Sequence, residues 1–286
     1  MTDLDLENLV LERGKHHSPE QGFNVLEAVS RMNRERFTDK PKLVSPVIGA
    51  FLREFNDALD DDTRQKLKDY VPRIYKSLLS DDVEDFRAWV ATDWLVRVQA
   101  PMWLKAAGME ELAEPLESSS PVHDPDTARE IQDALDKAAE ATRAAADEGT
   151  NAWNEKGEEA WATVTPDQWN AAGSGVQLAV KKAAARVIKP AYEAAGAVAR
   201  SAARDANAEI ASDVAWDAAW SIAWKAALEV GGEVRGEAGD AAREALAPTV
   251  DAVTKEIFGL LDKLLETRRK TTETAGMHED VRGAAR

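Results

Sequence analysis

No cysteine occurs in the 286 residues of this chain. Its absence excludes disulfides, thiolate metal ligands and cysteine nucleophiles, and it accords with a reducing compartment. Histidine is nearly as scarce, at His16, His17, His123 and His278. No apolar run approaches the ~18 residues that a membrane span needs. The acidic opening MTDLDLENLV carries no basic segment ahead of an apolar one, so it does not read as a secretory signal, and the expected location is cytoplasmic. Nucleophile elbows and HExxH motifs are missing, and Gly173-Ser174-Gly175 lacks both the length and the lysine of a phosphate loop. No cofactor or metal is expected. No stretch alternates strictly enough between apolar and polar residues to argue for a sheet.

Positive charge is also in short supply. Lys and Arg number 36 against 52 Asp and Glu, a formal net charge of −16, divided evenly as about −8 before Pro125 and −8 after it. Such a surface repels phosphate and anionic headgroups, so neither nucleic acid nor an anionic membrane is an expected partner. The one basic cluster is Lys181, Lys182, Arg186 and Lys189.

What is present in quantity is alanine, and it is distributed unevenly. Nine alanines precede Ser118 and 42 follow it, with SSSPVHDP at the junction reading as a linker. The expected organisation is an N-terminal helical domain over 1–117, a linker over 118–126, an alanine- and tryptophan-rich bundle over 127–270 and a flexible polar tail over 271–286. The expected fold is all-α: a bundle of short helices, then long alanine-rich helices packed as an antiparallel bundle.

Local signals support this reading. Ser18-Pro19-Glu20-Gln21 has the form of a capping box ahead of Phe23, Leu26, Val29 and Met32 at helical spacing. Ser45-Pro46 starts a second helix with Val47, Ile48, Phe51, Leu52 and Phe55 on one face. Thr63–Leu79 reads as helix with a break at Pro72, and Ser80 caps a longer one whose expected buried stripe is Phe86, Trp89, Val90, Trp94 and Val98. Pro101 is expected to end or kink it. Further on, Ile131, Leu135, Ala138, Thr142 and Ala145 step at heptad spacing, and Gly149-Thr150-Asn151 is expected to break that helix. Thr165-Pro166-Asp167-Gln168 is a second capping box, and Val250, Val253, Ile257, Leu261 and Leu264 mark a last amphipathic helix.

The segment DVAWDAAWSIAWKAA, 213–227, places Trp216, Trp220 and Trp224 four residues apart on a background of alanine. On a helix this spacing makes a slowly drifting row. The adjacent row carries Asp205, Glu209, Asp213 and Asp217. Alanine lets neighbouring backbones approach closely, and tryptophan rings, each burying roughly 150–250 Å², fill what alanine leaves open. The rings are therefore expected as core anchors. The two alternatives are an exposed face for a protein partner and a membrane-surface helix. The acidic row has a basic counterpart in Lys181, Lys182, Arg186 and Lys189, which a turn at Pro190 would bring alongside it.

Candidate chemistry is sparse. His16 and His17 with Glu12 and Glu20 have metal-ligand residue types but not a helical spacing across Gly14 and Pro19. Asp93 and Arg97 read as a structural ion pair beside Trp89 and Trp94.

Some of these residues carry a resemblance. The pattern Gly14-x-His16, Glu20-x-Gly22, Glu27-Ala28-Val29, Asp39-x-Pro41-x-x-Val44-Ser45-Pro46-Val47, Phe51, Asn56-Asp57, Ala91-Thr92-Asp93-Trp94 and Ala106-Ala107-Gly108 resembles uncharacterised helical proteins of actinobacteria and their phages. The Ala/Trp/Asp repeats and Leu246-Ala247-Pro248-Thr249-Val250 resemble the C-terminal half of such proteins. The resemblance implies a source and no activity. It also implies cysteine and histidine near the positions held here by Asn24, Phe37 and Leu43, so a metal site made by those relatives would be missing from this chain.

The functional expectation is a non-enzymatic protein-protein interaction or structural protein of phage origin, with a protein partner and room for homo-oligomerisation. Its candidate interaction face is Asp205, Glu209, Asp213, Asp217, Trp216, Trp220 and Trp224. The alternatives are an enzyme with a site in the N-terminal domain, drawing on His16, His17 and Asp93, and a peripheral membrane-surface protein.

Overall fold

The structure is a computed structural model that describes residues 4–160, 164–198, 201–230 and 237–283, with side chains as far as Thr267. The chain is 78% helical with almost no strand, an all-α fold. The α-helices are α1 (Val25–Met32), α2 (Pro46–Ala58), α3 (Asp61–Gln65), α4 (Val71–Ile74), α5 (Asp81–Trp94), α6 (Ala100–Ala106), α7 (Glu110–Glu117), α8 (Pro125–Ala160), α9 (Pro166–Val187), α10 (Lys189–Ala195), α11 (Ala202–Val230) and α12 (Glu237–Gly283). No helix among the described residues is long and apolar enough to cross a membrane.

Two compact units emerge. The first comprises Met1–Ala91, Glu193–Ala199 and Phe258–Arg286, and the second Thr92–Tyr192 and Arg200–Ile257. The compositional junction at 118–126 lies inside the second unit, and it is tied down there. Asp93 Oδ1 accepts the Val122 N–H at 2.8 Å, and Arg97 donates to the Ser119 carbonyl at 3.2 Å. Val122 itself is buried. The tail expected over 271–286 is backbone helix as far as Gly283, and its side chains lie outside the described residues.

In the first unit the core gathers Val25, Leu26, Val29, Val47, Ile48, Phe51, Leu52, Phe55, Leu67 and Val71 with Leu260, Leu261 and Leu264 of α12. Phe258 packs edge-on against Phe55, ring centroids 5.0 Å apart. Local reading was right at Ser45, whose hydroxyl accepts from the Ile48 N–H at 3.2 Å with Pro46 in the first turn. It was misplaced at Ser18. That serine precedes only a three-residue 3₁₀ turn, Pro19–Gln21, and α1 begins at Val25. Gly22, at φ +123°, separates the two. The working capping box is Asn24 with Glu27: Asn24 Oδ1 accepts from Leu26 N and Glu27 N, and Glu27 accepts from Asn24 N at 2.8 Å. Asn24, a position where the resemblance implied a metal ligand, is thus a helix cap; Phe37 stacks edge-on with Phe23 at 5.4 Å, and Leu43 is exposed.

The stripe expected on α5 holds at Trp89 and Trp94, which are buried, and fails at its other three positions. Phe86 is 49% exposed and Val90 and Val98 are half-buried, while Val83, Glu84, Arg87, Ala88 and Ala91 face inward. Two opposite charges one turn apart cancel in the core, where hydrophobic periodicity would not place them. Pro101 does not end the helix either. The chain widens into a π turn at Leu95–Gln99, in which Ala100 N bonds to Leu95 O, and then continues as α6. This wider turn absorbs a proline that has no N–H to give.

The second unit is built on α8, α9 and α11. Gly173 lies against Trp153 and Gly157 lies under Trp169, so the numbers run in opposite directions and α8 is antiparallel to α9, with Trp153 stacked on Trp169. Gly173 meets Trp224, while 181–192 share a cleft with 209–216, so α9 and α11 are antiparallel as well. Arg143 with Asp217, Gly149 with Trp224 and Lys156 with the Leu228 carbonyl rise together in number, so α8 and α11 run parallel, as the first and third members of an up-down-up bundle must. Gly149 does not break α8. A Cβ there would come within 2.8 Å of Trp224 Cβ, so the glycine permits close approach rather than a turn. The buried face also passes through Ala146, where the heptad count pointed to Ala145, and continues to Trp153 and Gly157.

Candidate functional site

The tryptophan row divides along α11. Trp224 is 5% exposed and sits against Gly149, tilted toward Trp153 at 5.3 Å. Trp153 in turn stacks on Trp169 at 4.2 Å. Trp220 stacks on Trp224 at 5.6 Å, and Trp216 meets Trp220 edge-on at 6.1 Å. Trp216 and Trp220 are only half-buried. One end of the row is therefore a core anchor and the other reaches a surface.

At that surface α9, α10 and α11 enclose a cleft of about 480 Å³. Lys181, Ile188, Lys189 and Tyr192 line one wall and Glu209, Ser212, Asp213 and Trp216 the other. Ala184 and Ala185 keep the floor shallow and apolar. The Ser212 hydroxyl is buried and has no hydrogen-bond partner among the described residues. Burial pushes the Asp213 carboxyl above the ordinary aspartate range, the Glu209 charge pushes it further, and Arg143 partly opposes both. The acidic wall is thus short of compensating positive charge, although a lysine-bearing wall faces it across the cleft.

The expected acidic row fans out because it drifts around the helix. Glu209 and Asp213 reach the cleft. Asp217 turns toward α8, where Arg143 Nε stands 4.0 Å away. Its carboxyl is raised by burial first and by the Asp213 charge second. Asp205 Oδ1 lies 3.7 Å from Arg204 Nε on its own helix. Asp213 also borders a second, acidic groove with Asp136, Glu140, Arg143 and Asp147 of α8.

The candidates for chemistry fall in different units. In the first, His16 is part of a loop lock: buried Glu27 accepts from the His16 N–H at 2.7 Å and lies 2.8 Å from Nδ1, and Glu12 stands 3.4 Å from Nε2. His17 is exposed, its N–H bonded to Gln21. In the second, Asp93 chelates Arg97 at 2.6 and 3.2 Å, and this hydrogen bonding raises the guanidinium pKa further. Among the described residues no group of three His, Asp or Glu is placed to hold a metal.

Sequence reasoning missed Ile188, Tyr192 and Ser212, which join the cleft only once α9, α10 and α11 are folded together. It also missed the glycine seats. Gly149, Gly157 and Gly173 each lie where a Cβ would press on a tryptophan side chain. The available signal was glycine recurring inside helical patterns in a chain rich in tryptophan. Compared with known proteins, the chain matches no family model, no curated protein and no solved structure.

Proposed function

We propose that this is a non-enzymatic binding protein that acts by protein–protein contact, through the α9–α11 face carrying Trp216, Trp220 and the cleft. The observation that carries this reading is the division of the tryptophan row. Trp224 is spent on the core, whereas Trp216 and Trp220 leave ring surface exposed beside opposed charges. Half-exposed aromatic rings within a charged rim are the usual make-up of interface anchors. The acidic surface speaks against nucleic acid and anionic lipid as the partner. A source among the helical proteins of actinobacteria and their phages belongs to the proposal and rests on the residue pattern alone.

The test pairs stability with capture. Trp224→Ala should cost roughly 3–5 kcal/mol, as loss of a buried large aromatic does. Trp216→Ala and Trp220→Ala should leave the thermal melt close to wild type and abolish recovery of the partner by a photo-crosslinker placed at Ser212. Melts lowered equally by all three changes, with crosslinking intact, would reject the contact face.

A further inference from the structure

The cleft has walls of opposite sign on two antiparallel helices, and this arrangement constrains what can cover it. Lys181, Lys182, Ala185 and Lys189 are exposed along α9 and α10, and Glu209 and Asp213 are exposed along α11. Large apolar groups accompany them: Leu178 is 52% exposed and Tyr192 41%. The helices are antiparallel, so Lys189 and Glu209 share one end of the cleft and Lys181 lies at the Trp216 end.

We propose that the occupant of this face is a second copy of the chain, related by a twofold axis running along the cleft, parallel to α9 and α11. Rotation about that axis preserves the level along the helices and exchanges the two walls. Lys189 of each copy then comes over Glu209 of the other, and Lys181 comes over Asp213 and the Trp216 ring. An axis across the cleft would instead set lysine on lysine and acid on acid. Charge thus selects one orientation, and a C2 contact is self-complementary by construction. The chain's net charge of −16 opposes indiscriminate self-association, so a self-contact needs local cancellation of this kind. The Asp213 carboxyl, which burial and then the Glu209 charge hold above its ordinary range, gains a cation from the partner copy, and Leu178 and Tyr192 lose their exposure to water. The inference rests on the contact face proposed above and names the partner.

Sedimentation equilibrium of the full chain tests it. Wild type should show twice the chain mass. Lys181→Glu with Lys189→Glu should give a monomer, because both halves of the contact become acid on acid. Glu209→Lys with Asp213→Lys should also give a monomer. An equimolar mixture of these two variants should recover the dimer mass, since each then meets its opposite. A wild type that stays monomeric, a reversed variant that still dimerises alone, or a mixture of folded variants that fails to dimerise overturns the proposal. Should either reversal prevent folding, Lys181→Gln with Lys189→Gln serves in its place. It should weaken the dimer at least about tenfold, and unaltered dimerisation would count against the proposal. A monomeric wild type whose crosslinking to another protein still depends on Trp216 would remove the second copy and leave the contact face standing.

Discussion

In the first compact unit Arg87 is fully buried. It donates to Glu84 Oε1 at 2.7 Å, to the Ser77 carbonyl at 2.8 Å and to the Leu264 carbonyl at 2.9 Å. Glu84 also takes the Leu79 N–H at 3.1 Å and the Ser45 hydroxyl. A single charged pair thus joins the start of α2, the loop before α5, α5 itself and α12. In the second unit helices approach closely where side chain is missing. A Cβ at Gly157 would stand 2.5 Å from Trp169 Nε1, and one at Gly175 would stand 3.2 Å from Gly239 Cα. The contrast shows two ways of filling a helical interior. Directional hydrogen bonds organise irregular short helices whose backbone ends need partners. Small residues bring long regular helices close together, and tryptophan plugs the gaps.

The first way to break this comparison is to remove charge from the first unit. Arg87→Met keeps length and apolar bulk but leaves Glu84 buried without its cation. Breaking a buried pair on one side costs about 3–5 kcal/mol, while replacing both partners by apolar groups is often neutral. Urea unfolding of Arg87→Met should therefore show the large loss, and Glu84→Leu with Arg87→Met should recover much of it. A small loss in the single variant would mean that the network is ornament on an apolar core.

These two modes also explain what could be read in advance. Regular elements were legible, because helix periodicity, Ser45-Pro46 and Thr165-Pro166-Asp167-Gln168 are local signals. Thr165 does accept from Gln168 N, with the Gln168 side chain returning to Thr165 N. Buried charge was not legible. Glu84 and Arg87 look like any solvated pair one turn apart until the Ser77 and Leu264 carbonyls are placed around them. The irregular N-terminal segment was illegible for the same reason: Gln65 bonds both N–H and C=O of Leu11 at 2.9 Å, and Asn56 reaches the Glu12 carbonyl, across more than forty residues of sequence. As for the candidate face, the pattern identified Glu209, Asp213 and Trp216 but could not tell which tryptophan of the row was buried. That depends on Gly149 and Trp153 of another helix.

A second test sharpens the comparison with one substitution at two positions. In an open helix Gly→Ala should stabilise by about 0.8–1.0 kcal/mol. Gly259, in the first unit, has nothing within 4 Å of a Cβ position, so Gly259→Ala should show that gain. Gly157 is also helical, but its Cβ would meet a Trp169 ring that Trp153 backs at 4.2 Å. Overpacking of this kind costs about 1–3 kcal/mol, so Gly157→Ala should destabilise. Thermal melts that move in the same direction for both would show that the glycine seats are loose.

The smallest expected effect concerns the acids of α11, where the second unit tolerates charge without the partners that the first unit supplies. Burial raises the Asp217 carboxyl above its ordinary value, Asp213 and Asp147 add to the rise, and Arg143, 4.0 Å away and mostly exposed, only partly offsets it. A carboxylate raised on folding binds protons more tightly in the folded chain than in the unfolded one. Stability from this group therefore increases as pH falls from neutrality through the raised value, and the gain is complete near the ordinary aspartate pKa of about 3.9. At neutral pH the charge is a net cost. Asp217→Asn removes that cost, so the variant should melt above wild type at pH 7. Solvent screening of a partly exposed site limits the difference to no more than about 1 kcal/mol. The advantage should shrink as the pH is lowered toward 4 and vanish once the aspartate is protonated in both states. Melting curves of the two proteins across that range decide the matter. A deficit at pH 7 would mean that the ion pair with Arg143 outweighs burial, and that the second unit also relies on charge pairing.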